Sequence, residues 1–204
     1  MTVSNDSDEY VILVDESDRQ VGTGAKLETH KQGLLHRAFS IFLFDDSGRT
    51  LIQRRAQEKY HSGGLWANTC CGHPRPGEQI SDAAHRRLVE ELGLEVGLNL
   101  AFSSRYKAEL DHGMTENEYV HVFYGHSLTA PFPEPTEVAD VAYVGLEELK
   151  GTSLYRGAAH TAWLRHYVDN HYAQLVDMQR RCGVATIPER STSSFVQRKE
   201  KLLG

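Results

Sequence analysis

From Ala38 to Phe44 the chain reads AFSIFLF, an almost unbroken apolar run. A run of this length flanked by polar residues predicts a central strand covered on both faces. The polar DDSGR stretch at 45–49 predicts a turn into a second strand at about Thr50–Arg54. Tyr10–Val14 predicts an earlier strand closed by a polar turn at Asp15–Arg19, and three more strands are expected near Leu98–Tyr106, Glu118–His126 and Val138–Val144. Residues 56–69 read as a loop rich in glycine, histidine and charge. Pro74, Pro76 and Gly77 exclude regular helix after it, whereas Ser81 is the expected cap of a helix running to Leu92 and stopped by Gly93. From Leu154 to Arg180 the spacing of Leu164, Tyr167, Val168, Leu175 and Val176 predicts one long helix.

Strands mixed with helices in this way imply an α/β (α+β) layered domain. A chain of 204 residues is long enough for one sizeable core and short for two. The expected division is a flexible arm at 1–9, a single domain at 10–181, and a polar, serine-rich, mobile tail at 182–204.

Charge narrows the partners. The 28 acidic and 22 basic residues give a formal charge of −6, which argues against a surface that coats nucleic acid. It leaves room for a small anionic substrate held by a few local cations. The opening MTVSNDSDEYVILVDES has neither the positive start nor the apolar run of a signal peptide, and no stretch approaches the roughly 20 apolar residues of a membrane span. A cytoplasmic protein with no membrane partner is expected. The three cysteines, two of them adjacent, suit neither a disulfide scaffold nor a Cys-x-x-Cys centre.

The 11 histidines are dispersed, and some precede strands beside carboxylates. His30 and His36 lie ahead of the AFSIFLF run, His73 follows the cysteine pair, and Glu116 and Glu118 precede another strand. Residues i and i+2 of an extended segment face one side, so both glutamates can reach one point. Three imidazoles and two carboxylates make a mixed N/O ligand set that suits Mn²⁺, Zn²⁺ or Mg²⁺, with room for a sixth ligand.

A second pattern is more specific. Gly72-x5-Glu78-x7-Arg86-Arg87-Leu88-x-Glu90-Glu91-x-Gly93-Leu94 resembles the loop-helix-loop signature of the Nudix superfamily, with Arg87 where that pattern has glutamate. The resemblance implies a mixed β-sheet sandwiched between helices, with N- and C-terminal extensions. Gly72 is expected to allow a tight turn. Arg87 and Glu91 share one helix face, as do Arg86 and Glu90. Nudix hydrolases use the carboxylates of this helix to gather divalent ions that drive water onto a diphosphate. A cation at 87 removes a ligand and adds a phosphate-binding group, which implies a helix that holds a diphosphate without cutting it.

The HKQGLLHRAFS segment, the Arg54-Arg55-Ala56 run, WANTCCGHP and the Glu116-Asn117-Glu118 triplet together resemble the type I, metal-dependent isopentenyl-diphosphate isomerase family, from about Val14 to Val168. By that resemblance the reaction moves the double bond of isopentenyl diphosphate to give dimethylallyl diphosphate. Cys71 is the base at C2, Glu118 the acid at C4, and Tyr106 the hydroxyl that relays or orients its proton. His30, His36, His73, Glu116 and Glu118 match the metal-ligand positions, and Glu91 matches the residue that places a second Mg²⁺ on the diphosphate. Lys26, Arg55, Lys59 and Arg87 match the positions that grip a charge of about −3. Trp163 matches the indole that shields the developing cation. Cys70 is expected to point away from Cys71 into the core, Arg54 to point outward, and Trp66 to be at most a wall of the pocket. The implied partner is the small diphosphate substrate, bound by a monomer. A nucleoside-diphosphate hydrolase is the nearest rival, but it leaves Cys71, Tyr106 and the histidines without a shared task. An inactive binding module has no need of Cys71 and Glu118.

Overall fold

The AFSIFLF run forms the middle of the sheet. In the computed structural model, which describes residues 9–150 and 159–183, it lies in strand β3 (His36–Phe44). The other strands are β1 (Tyr10–Val14), β2 (Gln20–Ala25), β4 (Thr50–Arg55), β5 (Trp66–Asn68), β6 (Cys70–Gly72), β7 (Asn99–Glu109), β8 (Thr115–His126) and β9 (Val138–Val144). The helices are α1 (Lys26–Gln32), α2 (Ile80–Leu92), α3 (Leu146–Lys150), α4 (Ala162–Asn170) and α5 (Tyr172–Arg181).

Strand β3 pairs in parallel with β8 from His36↔Glu118 to Phe44↔His126. It pairs antiparallel with β6, which sets Cys71 beside Ser40 and Cys70 beside Ile41. Strand β7 returns antiparallel along β8 and sets Tyr106 beside Glu118. Alternation along β3 then splits the core. Phe39, Ile41 and Leu43 pack with Leu88 and Leu92 of α2 on one face. Ala38, Phe42 and Phe44 pack with Leu164 and Tyr167 of α4 and Leu175 of α5 on the other. The mixed sheet between helices matches the fold class expected from the sequence. Strands β1, β3, β4, β7, β8 and β9 fall where the residue patterns place them, apart from a few residues at their ends.

Several local expectations need correction. Ser81 does not cap α2: the cap position is Gln79, which makes no side-chain cap bond. Gly93 does end that helix, in the left-handed conformation at φ 63°. Gly72 is not in a positive-φ turn. A Cβ there would lie 3.0 Å from Phe39 Cζ, so the ring of Phe39 on β3 is what leaves little room for a side chain, with Arg87 Cγ of α2 in ordinary contact at 3.4 Å. The long C-terminal helix is two helices broken at His171 (φ −129°, ψ 22°). The apolar period runs across that break because both helices pack on the same sheet face, so periodicity does not reveal it. Residues 154–158 of that expected helix, residues 1–8 of the arm and 184–204 of the tail lie outside the described residues. Strands β2, β5 and β6 and helices α1 and α3 had no clear pattern in the sequence.

Candidate active site

The register of three strands assembles the site. His36 on β3 and Tyr106 on β7 both stand beside Glu118 on β8, and Glu116 enters from two residues earlier on the same face. Helix α1 carries His30, and the chain after β6 carries His73. His30 and His36 are fully buried, and the two glutamates nearly so.

Hydrogen bonds aim the imidazoles. His30 Nδ1 is 2.7 Å from the Lys26 carbonyl oxygen, and His36 Nδ1 is 2.8 Å from that of Leu34. A carbonyl only accepts, so each ring carries its proton on Nδ1 and turns an Nε2 lone pair to the centre. There His36 Nε2 is 3.2 Å from His73 Nε2, and His73 Nε2 is 2.9 Å from Glu118 Oε1. His30 Nε2 lies 3.4 Å from Glu116 Oε2, and among the described residues neither atom has a hydrogen-bond partner. Ligand atoms of all five residues lie within 4.8 Å of one another. Converging lone pairs of this kind need a proton or a cation between them, and the mixed N/O set fits a divalent ion.

Burial dominates the titration of the site. It lowers His36 to about 4 and His73 well below its ordinary value, with neighbouring imidazoles adding to both effects. Burial and then the charge of Glu116 push Glu118 well above the carboxylate range. Glu116 goes the other way, because the imidazoles of His30 and His61 outweigh its own burial. The two carboxylates are too close to ionise together in a dry site, so without an ion Glu118 keeps its proton. Tyr106 is raised well above its ordinary value by burial and by these two glutamates.

The adjacent cysteines face opposite sides of the sheet. Cys70 is fully buried in the layer under α2, while Cys71 opens into the cleft. Cys71 Sγ donates to Asn68 Oδ1 at 3.2 Å and lies 3.2 Å from Ser40 Oγ. The Tyr167 hydroxyl donates to that serine at 2.9 Å. Asn68 is fixed in this orientation because its Nδ2 donates to the carbonyls of Ile41 and Cys70. Burial pushes the Cys71 thiol up to about 12, and the hydrogen bonds with Ser40 and Asn68 oppose it.

Around the same cleft stand Lys26, Arg55, Lys59 and Arg87, together with Glu91, Tyr106 and Trp163. Arg87 Nη2 donates to Glu91 and also to Glu137, the latter at 3.1 Å, and Lys59 Nζ donates to Glu137 at 3.0 Å. Lys26 Nζ donates to Glu9 at 2.7 Å. The Arg55 guanidinium lies 5.3 Å from the Trp163 ring centroid. Arg54 points away to Asp140, its register partner on β9, because successive residues of a strand face opposite sides. Next to the cleft, Glu78 takes a two-pronged ion pair from Arg86 at 2.7 and 2.9 Å, which ties the loop to α2. Every residue singled out from the sequence as catalytic, diphosphate-binding or ligating therefore borders this cleft or its buried wall. Trp66 does not line it: it is buried in the core layer that holds α4 and α5.

The sequence reading missed Ser40, Gln53, Tyr60, His61 and Glu137, which also line the cleft. Gln53 Nε2 donates to Glu91 Oε2 at 2.7 Å and holds that carboxylate toward the cations. Ser40 lay in plain view inside the AFS motif, and His61 in the histidine-bearing loop. Glu137, on a proline-rich loop, carried no signal. Among the described residues no helix is long and apolar enough to cross a membrane.

A mixed sheet clasped by helices, with a glutamate-rich helix against a buried histidine–carboxylate centre, defines a Nudix-fold protein. The NUDIX domain family matches residues 34–166. The solved structure of DR0079 from Deinococcus radiodurans shares the fold with a TM-score of 0.67 at 20% identity, over 80% of this chain and 99% of that one. The MutT protein from Methanosarcina mazei Go1 does so with a TM-score of 0.57 at 17% identity, over 69% and 94%. Isopentenyl-diphosphate Delta-isomerase 2 of Aromatoleum aromaticum is 47% identical over 162 residues, 79% of this chain and 86% of that protein. The isopentenyl-diphosphate Delta-isomerase of Streptomyces griseus is 47% identical over 171 residues, 81% of this chain and 86% of that protein. The chain belongs to the isopentenyl-diphosphate Delta-isomerase family of the Nudix superfamily.

Proposed function

We propose that residues 10–181 form one catalytic domain that interconverts isopentenyl diphosphate and dimethylallyl diphosphate, acting as a cytoplasmic monomer. The observation that carries this reading is the convergence of Cys71, Glu118 and a four-cation cluster on one cleft. Lys26, Lys59 and Arg87 exchange their present carboxylate partners for diphosphate oxygens, Arg55 joins them from beside the Trp163 ring, and Glu91 would hold a Mg²⁺ that accompanies the diphosphate. The hydrocarbon end then lies between the two proton-handling groups.

His30, His36, His73, Glu116 and Glu118 hold one Mn²⁺, Zn²⁺ or Mg²⁺. When bound, such an ion would supply positive charge that favours an ionised Glu116 and would fix the position of Glu118, which acts as the acid in its protonated form. Glu118 delivers a proton to C4 of the alkene, with the Tyr106 hydroxyl relaying or orienting it. Cys71, as thiolate, takes a proton from C2, so one C–H bond forms, one breaks and the double bond moves. Ser40 is placed to donate to the sulfur once its proton has gone to another acceptor, which favours the thiolate that burial opposes. Trp163 turns its ring toward the tertiary carbocation-like intermediate, an attraction of up to roughly 2 kcal/mol in a desolvated site.

The test is incubation of purified, metal-loaded protein with isopentenyl diphosphate and analysis of the products by NMR. Dimethylallyl diphosphate with its diphosphate intact is the expected product. Release of phosphate with no alkene isomer would overturn the reading in favour of hydrolysis.

A further inference from the structure

His61 stands outside the five-residue ligand group, yet it is buried against it, only 3% exposed. Its Nε2 lies 3.4 Å from Glu116 Oε1, while His30 Nε2 lies 3.4 Å from the other oxygen of the same carboxylate. On the opposite edge of the ring, Nδ1 is 3.3 Å from Ser62 Oγ. An ionised carboxylate only accepts, so the ring proton belongs on Nε2, facing Glu116. Nδ1 is then left to accept from the serine hydroxyl.

The ring is wedged and its backbone pinned. It stands edge-on to Tyr60, with centroids 4.3 Å apart, and to Trp163, with centroids 5.8 Å apart. Arg55 Nη2 donates to the His61 carbonyl oxygen at 3.2 Å. Ser62 is in the left-handed conformation at φ 53°, and its N–H donates to Asp111 Oδ1 at 2.9 Å. A serine persists there only where its surroundings impose it.

We propose that His61 is a positioning residue for the metal centre. Held by Ser62 and by the Tyr60–Trp163 wedge, it anchors one oxygen of Glu116 so that the other stays aimed at the ion shared with His30. The proposal rests on Glu116 being a ligand, as set out above. A ligating carboxylate without such an anchor rotates away, and loss of an outer partner typically costs 10- to 100-fold in metal affinity.

Mn²⁺ affinity of the chelator-stripped full chain, measured by competition with a chromogenic chelator and without substrate, tests it in His61→Gln, His61→Asn and His61→Ala. Glutamine brings an N–H to the place of Nε2, asparagine to that of Nδ1. The Gln variant should bind within about 3-fold of the unmodified protein, and the Asn and Ala variants roughly 10- to 100-fold more weakly. Unchanged affinity in all three overturns the proposal. Equal losses in Gln and Asn also overturn it, since a ligand or a packing residue behaves that way. If the Ala variant does not fold, the Gln–Asn contrast still decides. Unchanged affinity in Glu116→Gln would overturn it at the ligand assignment itself. None of these measurements depends on isomerase activity.

Discussion

His73 Nε2 stands 2.9 Å from Glu118 Oε1, although 45 residues separate them in the chain. The contact joins the ligand group to the proposed acid, so the ion and proton delivery share one residue. Well-folded His36→Ala and His73→Ala variants should each lose the ion that the protein holds without substrate. Elemental analysis after gel filtration checks this, and near-stoichiometric metal in both variants would refute the ligand assignment.

Acid should destabilise the ion-free protein before it protonates surface carboxylates. His36 and His61 have folded values near 4 and 3 against an ordinary 6.5, so below about pH 6.5 the unfolded chain binds protons that the folded chain refuses. Stability is therefore fully present above 6.5 and falls toward pH 4, by on the order of 1.4 kcal/mol per pH unit for each histidine. His73 adds in the same direction. Glu118 opposes it, because a raised folded value loses stability as pH rises. Urea midpoints of chelator-treated protein should thus drop between pH 6.5 and 4.5, and more steeply in Glu118→Gln. A flat profile would contradict the buried neutral histidines.

The two cysteines should separate by function. If Cys71 is the proposed base, Cys71→Ala should lower the rate by about 10²- to 10⁴-fold, the usual contribution of a positioned base. Cys70→Ala should cost roughly 1 kcal/mol of stability from lost packing and keep most activity. Isomer formation at saturating substrate and metal, in variants shown to be folded, distinguishes them. A nearly inactive Cys70 variant beside a nearly normal Cys71 variant would mean that the wrong sulfur carries the proton.

Arg87→Ala should leave the reaction class unchanged and weaken substrate binding. A charge-assisted hydrogen bond to the diphosphate contributes about 1.5–3 kcal/mol, which corresponds to a KM increase of roughly 10- to 100-fold. The substitution also leaves Glu91 and Glu137 without their shared cation. An unchanged KM would place the guanidinium off the diphosphate, and phosphate release by the unmodified protein would remove the reason for an arginine at this position.

The sequence alone determined the central strand and the glutamate helix, and its motifs carried the resemblance from which the ligand, cation and cysteine roles are proposed. The strand and the helix follow from local rules: apolar run length, glycine and proline stops, and alternation along a strand; the site roles rest on the family resemblance of the motifs. Alternation was enough to predict that Cys70 and Cys71 face apart and that Glu116 and Glu118 face together. Only the tertiary structure decided what those side chains meet. The parallel register of β3 and β8 sets His36 beside Glu118, and pairing of β3 with β6 sets Ser40 beside Cys71. Neither register is encoded within a single segment, because strand pairing depends on which faces the two helical layers bury. Glu137 and His61 were illegible for the same reason. A carboxylate in a proline-rich loop and a histidine in a polar one acquire meaning only when folding buries them against Arg87 and Glu116, where loss of water makes each contact specific.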